Sequence, residues 1–250
     1  MTLQQVEPNS IYIWSNAVSK VYVWSTQVRP VAQPWWQPWP NTIAYYPLNS
    51  NTTNTDQSGN WYDLTANGTL TYTWVWWVSA INTSAWYLSW TITTIPVWNA
   101  ARTLSIWEYL NSNSTAAPDF KVMWYYGNRW KQKWEQMLAF NTNMAVWCIY
   151  LANYYYDLAD WNKDHLCDLY KWYHILYTHD GTTQTIYLNW APILSQQQTI
   201  NTNSNAFQIG DSSQGTNFPW YLSEMIIEDR AWSAQEVSDY FDLTKWNYWL

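Results

Sequence analysis

Glycine is nearly missing from this chain: there are 6 in 250 residues, where average usage of about 7% would supply roughly 18. A sequence full of turn signals has little else that takes φ > 0 freely, so about a dozen glycines are unaccounted for. Charge is also scarce. Charged residues make up 12% of the chain, the net charge is −7 and the pI is near 4.7. With no basic cluster, a surface for nucleic acid or an anionic membrane is excluded. Cysteine is limited to Cys148 and Cys167, which either pair as a disulfide or stay as two buried thiols, and two cysteines do not decide a redox compartment. The most apolar run, Trp74 to Ile81, is far too short to span a bilayer. The opening MTLQQVEPNS has no basic stretch followed by an apolar one, so no ordinary signal peptide is expected. No Gly-rich phosphate loop, Cys-x-x-Cys pair or Gly-x-Ser-x-Gly elbow occurs.

What the chain has instead is 24 Trp and 21 Tyr among abundant Asn, Thr, Ser and Gln, a balance common in extracellular β proteins. Two similar phrases, IYIWS (11–15) and VYVWS (21–25), alternate apolar and polar or aromatic positions and predict a hairpin or strand pair. RPVAQPWWQPWP (29–40) follows, where proline fixes φ and removes donors, giving an extended strap. Residues 1–40 are therefore expected to form a small attachment element, and 41–250 the main domain. From Ile43 onward short alternating runs recur, among them TIAYYPL, GTLTYTWV, ARTLSIWEYL, FKVMWYY, QMLAFNT, AVWCIYLA, WYHILYTHD, TQTIYLN, AFQIGD and WYLSEMIIEDRAW. Asn, Gly and Ser turns separate them: DQSGN, NSNST, HDGTT, NTNSN and DSSQGTN. That pattern predicts an all-β, two-sheet antiparallel sandwich or jelly roll. One helix is expected near the C-terminus, where Ser233 and Glu236 form a capping box ahead of Val237, Tyr240 and Phe241.

In order, IAYYPLNS with DQSGNWYDLT, then LSIWEYL, YKWYHILYTHDGTTQTIYLNWAPI, FQIGDSS and FPWYLSEMIIEDRAWSAQEVSDYF resemble the laminin-G-like, concanavalin A-like jelly-roll domains. The likeness runs from about residue 43 to residue 241. It implies a lectin-like sandwich that recognises a carbohydrate or a surface protein. It also implies glycine at Trp61, Trp190, Trp220 and Trp90, and in IYLNWAPI it sets Trp190 after Asn189 in a tight hairpin turn. Trp14, Trp24, Trp98, Trp130, Trp134, Trp147, Trp161 and Trp249 also sit where a turn or bulge glycine fits. Some lineages read UGA as Trp and others as Gly, so a gene whose UGA codons mean Gly, translated as Trp, accounts for both the deficit and the surplus. Trp35 or Trp36, Trp39, Trp107, Trp172 and Trp246 fit strand or aromatic positions and read as genuine. The alternative is that all 24 are real and form an aromatic binding surface.

Catalysis finds little support. Jelly-roll glycosidases carry carboxylates alternating along one strand, and no Glu-x-Asp-x-x-Glu arrangement is present. Glu224, Glu228 and Asp229 read as solvated edge or loop carboxylates with Arg230 as partner. His174 and His179 lie at odd spacing and face opposite sides of a strand; His174 reads as structural, and His179 opens the Asp180-Gly181 turn. His165 completes the histidines, with no zinc or general-base pattern among the three. Calcium is the one candidate cofactor, since loop carboxylates and carbonyls suit it: Asp56, Asp160 and Asp211 foremost, with Asp157 and Asp164. For glycan, aromatic rings stack on sugar faces and amides read hydroxyls, which singles out Asn153, Tyr154, Tyr155, Tyr156 and Asp157, with Asn111 and Asn203 and, more broadly, Asn113, Asn201 and Asn205. The expectation is a non-catalytic recognition or adhesion domain for a glycan or cell-surface ligand, acting through rim loops or the concave sheet. Its setting is a virion or cell-surface structural protein such as a phage tail fibre, with residues 1–40 contacting other particle proteins and self-association compatible with that role. A purely structural decoration module is the rival, and a glycoside hydrolase the third reading.

Overall fold

A computed structural model describes residues 22–23, 26–27, 38–50, 54–83, 87–111, 119–128, 133–142, 145–153, 158–159, 166–202, 205–210 and 220–250; at 22–27, 119–122, 128, 133–142, 145–153, 159 and 166 it describes the backbone course alone. The chain divides into two compact units, Met1–Trp35 and Trp36–Leu250. In the first, β1 (Tyr22–Val23) pairs antiparallel with β2 (Thr26–Gln27). The repeat IYIWS at 11–15 lies outside the described residues.

The second unit is built from two antiparallel sheets. The back sheet runs β16 (Ala191–Gln197), β15 (Thr183–Leu188), β14 (Trp172–His179), β8 (Arg102–Tyr109), β18 (Tyr221–Glu228), β6 (Val78–Asn82) and β5 (Thr71–Val75), with β3 (Thr42–Tyr46) paired to β18. The front sheet runs β12 (Leu158–Ala159), β11 (Ala145–Asn153), β10 (Lys133–Thr142), β9 (Asp119–Asn128), β17 (Ala206–Ile209), β7 (Tyr87–Thr91) and β4 (Thr65–Asn67), with β13 (Leu166–Cys167) paired to β11. The predicted two-sheet sandwich with one helix is what forms. Among the described residues, no helix is long and apolar enough to cross a membrane.

Between the sheets, Leu104, Ile106, Ile175, Tyr177, Met225 and Ile227 of the back sheet share one core with Leu88, Trp124, Tyr126, Phe207 and Ile209 of the front. The opposite face of the back sheet is covered as well. Helix α1 (Ala234–Thr244) and the 3-10 turn Lys245–Tyr248 bring Val237, Tyr240, Phe241 and Tyr248 onto Trp107, Trp172, Leu176 and Ile226. The Trp107 ring lies 3.7 Å from that of Tyr248, at 6°. Strands β8, β14 and β18 are thus apolar on both faces, which is why LSIWEY and EMIIE read as nearly continuous runs rather than alternating ones. The capping box is formed: the Glu236 N–H donates to the Ser233 side chain, and the Ser233 N–H donates to Glu236 at 2.8 Å.

Two hairpins differ from the expected turns. Asn189 takes the positive φ (58°) at the tip of β15–β16, while Trp190 keeps an ordinary φ. A turn with φ > 0 only at its first central position suits Trp at the second, so the residue after Asn189 has no need of glycine. Trp76 and Trp77, inside what reads as a single apolar run, instead form the two-residue turn between β5 and β6, where Val75 faces Val78. Both have positive φ, 51° and 75°.

Cys167 is disulfide-bonded, and the chain's one other cysteine is Cys148 on β11. That decides the alternative the sequence leaves open.

Candidate functional site

The front sheet's outer face is where polar side chains gather. Along β17 and β7 the core takes Phe207, Ile209 and Leu88, so by alternation Gln208 and Ser89 point the other way. Register joins them into a row: Thr65 faces Ser89, Ser89 faces Gln208, Gln208 faces Tyr125, and Tyr125 faces Gln136. Four inter-strand steps make the row roughly 19 Å long. Asn67 anchors one end, its amide donating to Ser89 Oγ at 2.8 Å and to the Thr65 carbonyl at 3.1 Å. The Tyr125 hydroxyl donates to the Gly127 carbonyl at 3.1 Å. Gln208 is half-buried, and among the described residues no hydrogen bond engages its amide. No described helix packs on this face, in contrast to the back sheet. The Ser89 hydroxyl and the Gln208 and Asn67 amides offer donors and acceptors to a polyhydroxylated ligand and no charge, beside the buried Tyr125.

Of the residues singled out from sequence, Asn111 is half-buried just past β8 and Asn153 ends β11. Tyr154, Tyr155, Tyr156, Asp157, Asp160, Asp164, His165, Asn203 and Asp211 lie outside the described residues. Asp56 is buried, and its carboxylate organises its own loop. Oδ1 accepts from the Tyr45 N–H at 3.0 Å and the Ser58 N–H at 2.8 Å, while Oδ2 accepts from the Ser58 hydroxyl at 2.8 Å and the Tyr62 N–H at 3.1 Å. Among the described residues no three His, Cys, Asp or Glu side chains converge on a common point. Ser89, Gln208 and Tyr125 were missed by sequence reasoning. Period-two alternation in AFQIGD and YLSWT was the available signal, but only register reveals which outward residues share a row.

Of the carboxylates expected on solvated edges, Asp229 is exposed, whereas Glu224 and Glu228 are buried. Glu228 is inaccessible and accepts from the Thr42 hydroxyl at 2.9 Å and Trp232 Nε1 at 2.6 Å, with Arg230 Nε at 3.3 Å, the partner expected. Glu224 sits at a bulge in β18, between register partners Ser223 and Ile226, with φ 48°. The bulge turns it toward α1 together with Ser223, where it accepts from the hydroxyls of Tyr45 at 3.2 Å and Tyr248 at 3.0 Å. Burial raises the pKa of both, against hydrogen bonds that lower it. Glu108, on the core side of β8, is fully buried with neither carboxyl oxygen hydrogen-bonded, and burial holds its pKa well above the usual range. None of these three lies on the front face. His174 is buried against Trp107, with Nε2 2.7 Å from Ser105 Oγ and Nδ1 3.2 Å from the Asn189 carbonyl; burial lowers its pKa to about 3. It is a neutral structural ring, as its strand position implies. His179 lies on the opposite face and accepts from the Gly181 N–H at 3.1 Å in the expected turn.

The fold has clear relatives. Domain 4 of AbnA, a GH43 extracellular arabinanase from Geobacillus stearothermophilus solved in complex with arabinotriose, superposes with a TM-score of 0.60 at 16% identity, over 80% of this chain and 97% of that one. The binding domain of botulinum neurotoxin serotype D gives 0.59 at 11% identity, over 81% of this chain and 51% of that one. The binding domain of Paraclostridial Mosquitocidal Protein 1 gives 0.58 at 17%, over 80% and 52%. This chain thus spans about half of each toxin binding domain. No curated protein sequence matches it. The family model Laminin_G_3 matches residues 82–238. The chain belongs to the concanavalin A-like lectin/glucanases superfamily.

Proposed function

We propose that the chain is a non-catalytic recognition domain that binds carbohydrate, on a free oligosaccharide or a cell-surface glycan, across the outer face of the front sheet. The observation that carries this is the asymmetry of the two sheets. The back sheet's outer face is sealed by aromatic packing under the C-terminal helix, whereas the front sheet presents the half-buried, uncharged Asn67, Ser89 and Gln208, with the buried Tyr125 beside them in register. The arabinotriose held by the arabinanase domain supports this ligand class, and the toxin relatives, named as binding domains, support a recognition role. Rim loops would complete the site, with Asn111, Asn153, Tyr154, Tyr155, Tyr156, Asp157 and Asn203 as contacts and Asp160 and Asp211 as calcium candidates. In the full setting the domain works outside the cell or on a virion surface, residues 1–40 attaching it to other structural proteins.

A glycan array that includes arabino-oligosaccharides, read with and without calcium, tests this. Retention of a defined glycan class supports recognition, and calcium dependence extends it to the loops. Blank panels favour a purely structural module, and release of reducing sugar overturns the non-catalytic assignment.

A further inference from the structure

The backbone sorts the tryptophans in a way that side-chain packing does not explain. Nine described non-glycine residues have positive φ: Leu48, Trp61, Trp76, Trp77, Trp98, Tyr170, Asn189, Glu224 and Trp249. Five are Trp. Tyr is almost as abundant in the chain, 21 against 24, and contributes only Tyr170. All five described glycines, Gly59, Gly68, Gly127, Gly181 and Gly210, also have positive φ. These five Trp therefore share glycine's conformational niche in this chain, the niche for which an L side chain is least suited.

The five positions are also of separate glycine-requiring kinds. Trp76 and Trp77, with φ 51° and 75°, are the two central residues of a β-hairpin, which marks the turn type that needs φ > 0 at both and prefers Asn-Gly or Gly-Gly. Trp249 caps the C-terminal 3-10 turn at φ 62°, ψ 35°, its N–H donating to the Lys245 carbonyl, the left-handed cap that glycine dominates. Trp61, at φ 62°, lies within the Asp56-organised loop, just before the Tyr62 N–H that closes it. Trp98, at φ 56°, forms an isolated bridge with Thr202. All are at least about half exposed, at 85, 48, 82, 51 and 54% for Trp61, Trp76, Trp77, Trp98 and Trp249. The side-chain contacts at Trp76 and Trp249, an edge-on approach of Trp76 to Tyr109 and a hydrogen bond from Trp249 Nε1 to the Trp76 carbonyl, are surface contacts that do not call for φ > 0. By contrast Trp107 and Trp172 are fully buried in strands, and against the C-terminal segment Trp107 stacks on Tyr248 while Trp172 meets it edge-on.

We infer that the protein made from the source gene carries glycine at positions 61, 76, 77, 98 and 249, encoded by UGA, and genuine Trp at 107 and 172. Trp76 and Trp77 join the set on backbone geometry alone. Trp90, Trp190 and Trp220, whose φ is not positive, do not need to belong to it, and Trp220 is fully buried in the core. The consequence for recognition is direct: the exposed indoles at these five turns are not ligand contacts, and readout falls to hydroxyls, amides and tyrosines. This inference stands independently of the recognition proposal, because it rests on φ and exposure.

The test is the codon at each position, together with peptide mass mapping of the protein isolated from its source. UGA at all five, UGG at 107 and 172, and peptides lighter by a Trp-to-Gly difference at each of the five support it. UGG at any of the five, tryptophan masses there, or UGA at 107 or 172 overturns it.

Discussion

Replacing Trp77 with glycine isolates backbone strain from surface burial in the chain as written. Trp77 holds φ 75° at the second central position of the β5–β6 turn and is 82% exposed; among the described residues, its ring touches no partner. A left-handed L residue costs about 1–2 kcal/mol relative to glycine. Glycine's extra freedom in the unfolded chain opposes the gain by roughly 0.5–1 kcal/mol. Trp77→Gly should therefore stabilise by about 0.5–1 kcal/mol, a Tm rise of roughly 1–4 °C for a domain of this size. Trp190→Gly is the matched control. It also lies in a two-residue hairpin and is 57% exposed, but its φ is not positive. There only the entropic term acts, and a loss of roughly 0.5–1 kcal/mol follows. The entropic terms cancel in the comparison, leaving a difference of about 1–2 kcal/mol due to strain. Urea unfolding followed by circular dichroism measures both variants. Equal shifts in the two would refute the strain argument.

Three further outcomes follow from buried groups and the helix cap. Glu108→Met removes an unpartnered buried carboxyl and should stabilise by about 1–3 kcal/mol at neutral pH; because the folded-state pKa is raised, Glu108 costs least below the unfolded value of 4.5 and most above it, so the gain must grow as pH rises, and a pH-independent gain in denaturation curves counts against it. His174 has a folded pKa lowered to about 3 from 6.5, so its contribution is complete above pH 6.5 and falls by about 1.4 kcal/mol per unit as pH drops toward 3; the stability difference between the wild type and His174→Gln should be flat above that range and shrink below it, and a flat difference throughout contradicts the buried neutral ring. Ser233→Ala breaks the capping box and should cost about 1 kcal/mol by calorimetry, with no measurable change speaking against the cap.

The helix, the back-sheet strands and the Asp180-Gly181 turn were legible because each depends on local chemistry: a Ser–x–x–Glu cap, runs of β-branched and aromatic residues, and an Asp whose Oδ1 accepts from the N–H groups of Thr182 and Thr183 at 2.8 and 2.7 Å. The β5–β6 hairpin was not, since VWWV carries no turn residue and its geometry shows only in φ. Glu224 and Glu228 read as surface groups because charge in sequence suggests solvent. Their burial depends on Tyr45, Tyr248 and Thr42, which come from distant segments. The front-face row is equally non-local: Ser89, Gln208 and Tyr125 meet only through strand order, and no spacing in the sequence encodes that order.

A quantitative glycan array run in parallel on the wild-type chain and on Ser89→Ala/Gln208→Ala tests the recognition proposal most directly. The row predicts saturable binding of an oligosaccharide class by the wild type. It also predicts at least a roughly tenfold weaker signal for the double variant, the scale of one or two lost hydrogen bonds, with a Tm lowered by only a few degrees, about the loss of the Asn67–Ser89 bond. Binding that is indifferent to both substitutions, or no binding across the panel, would contradict it.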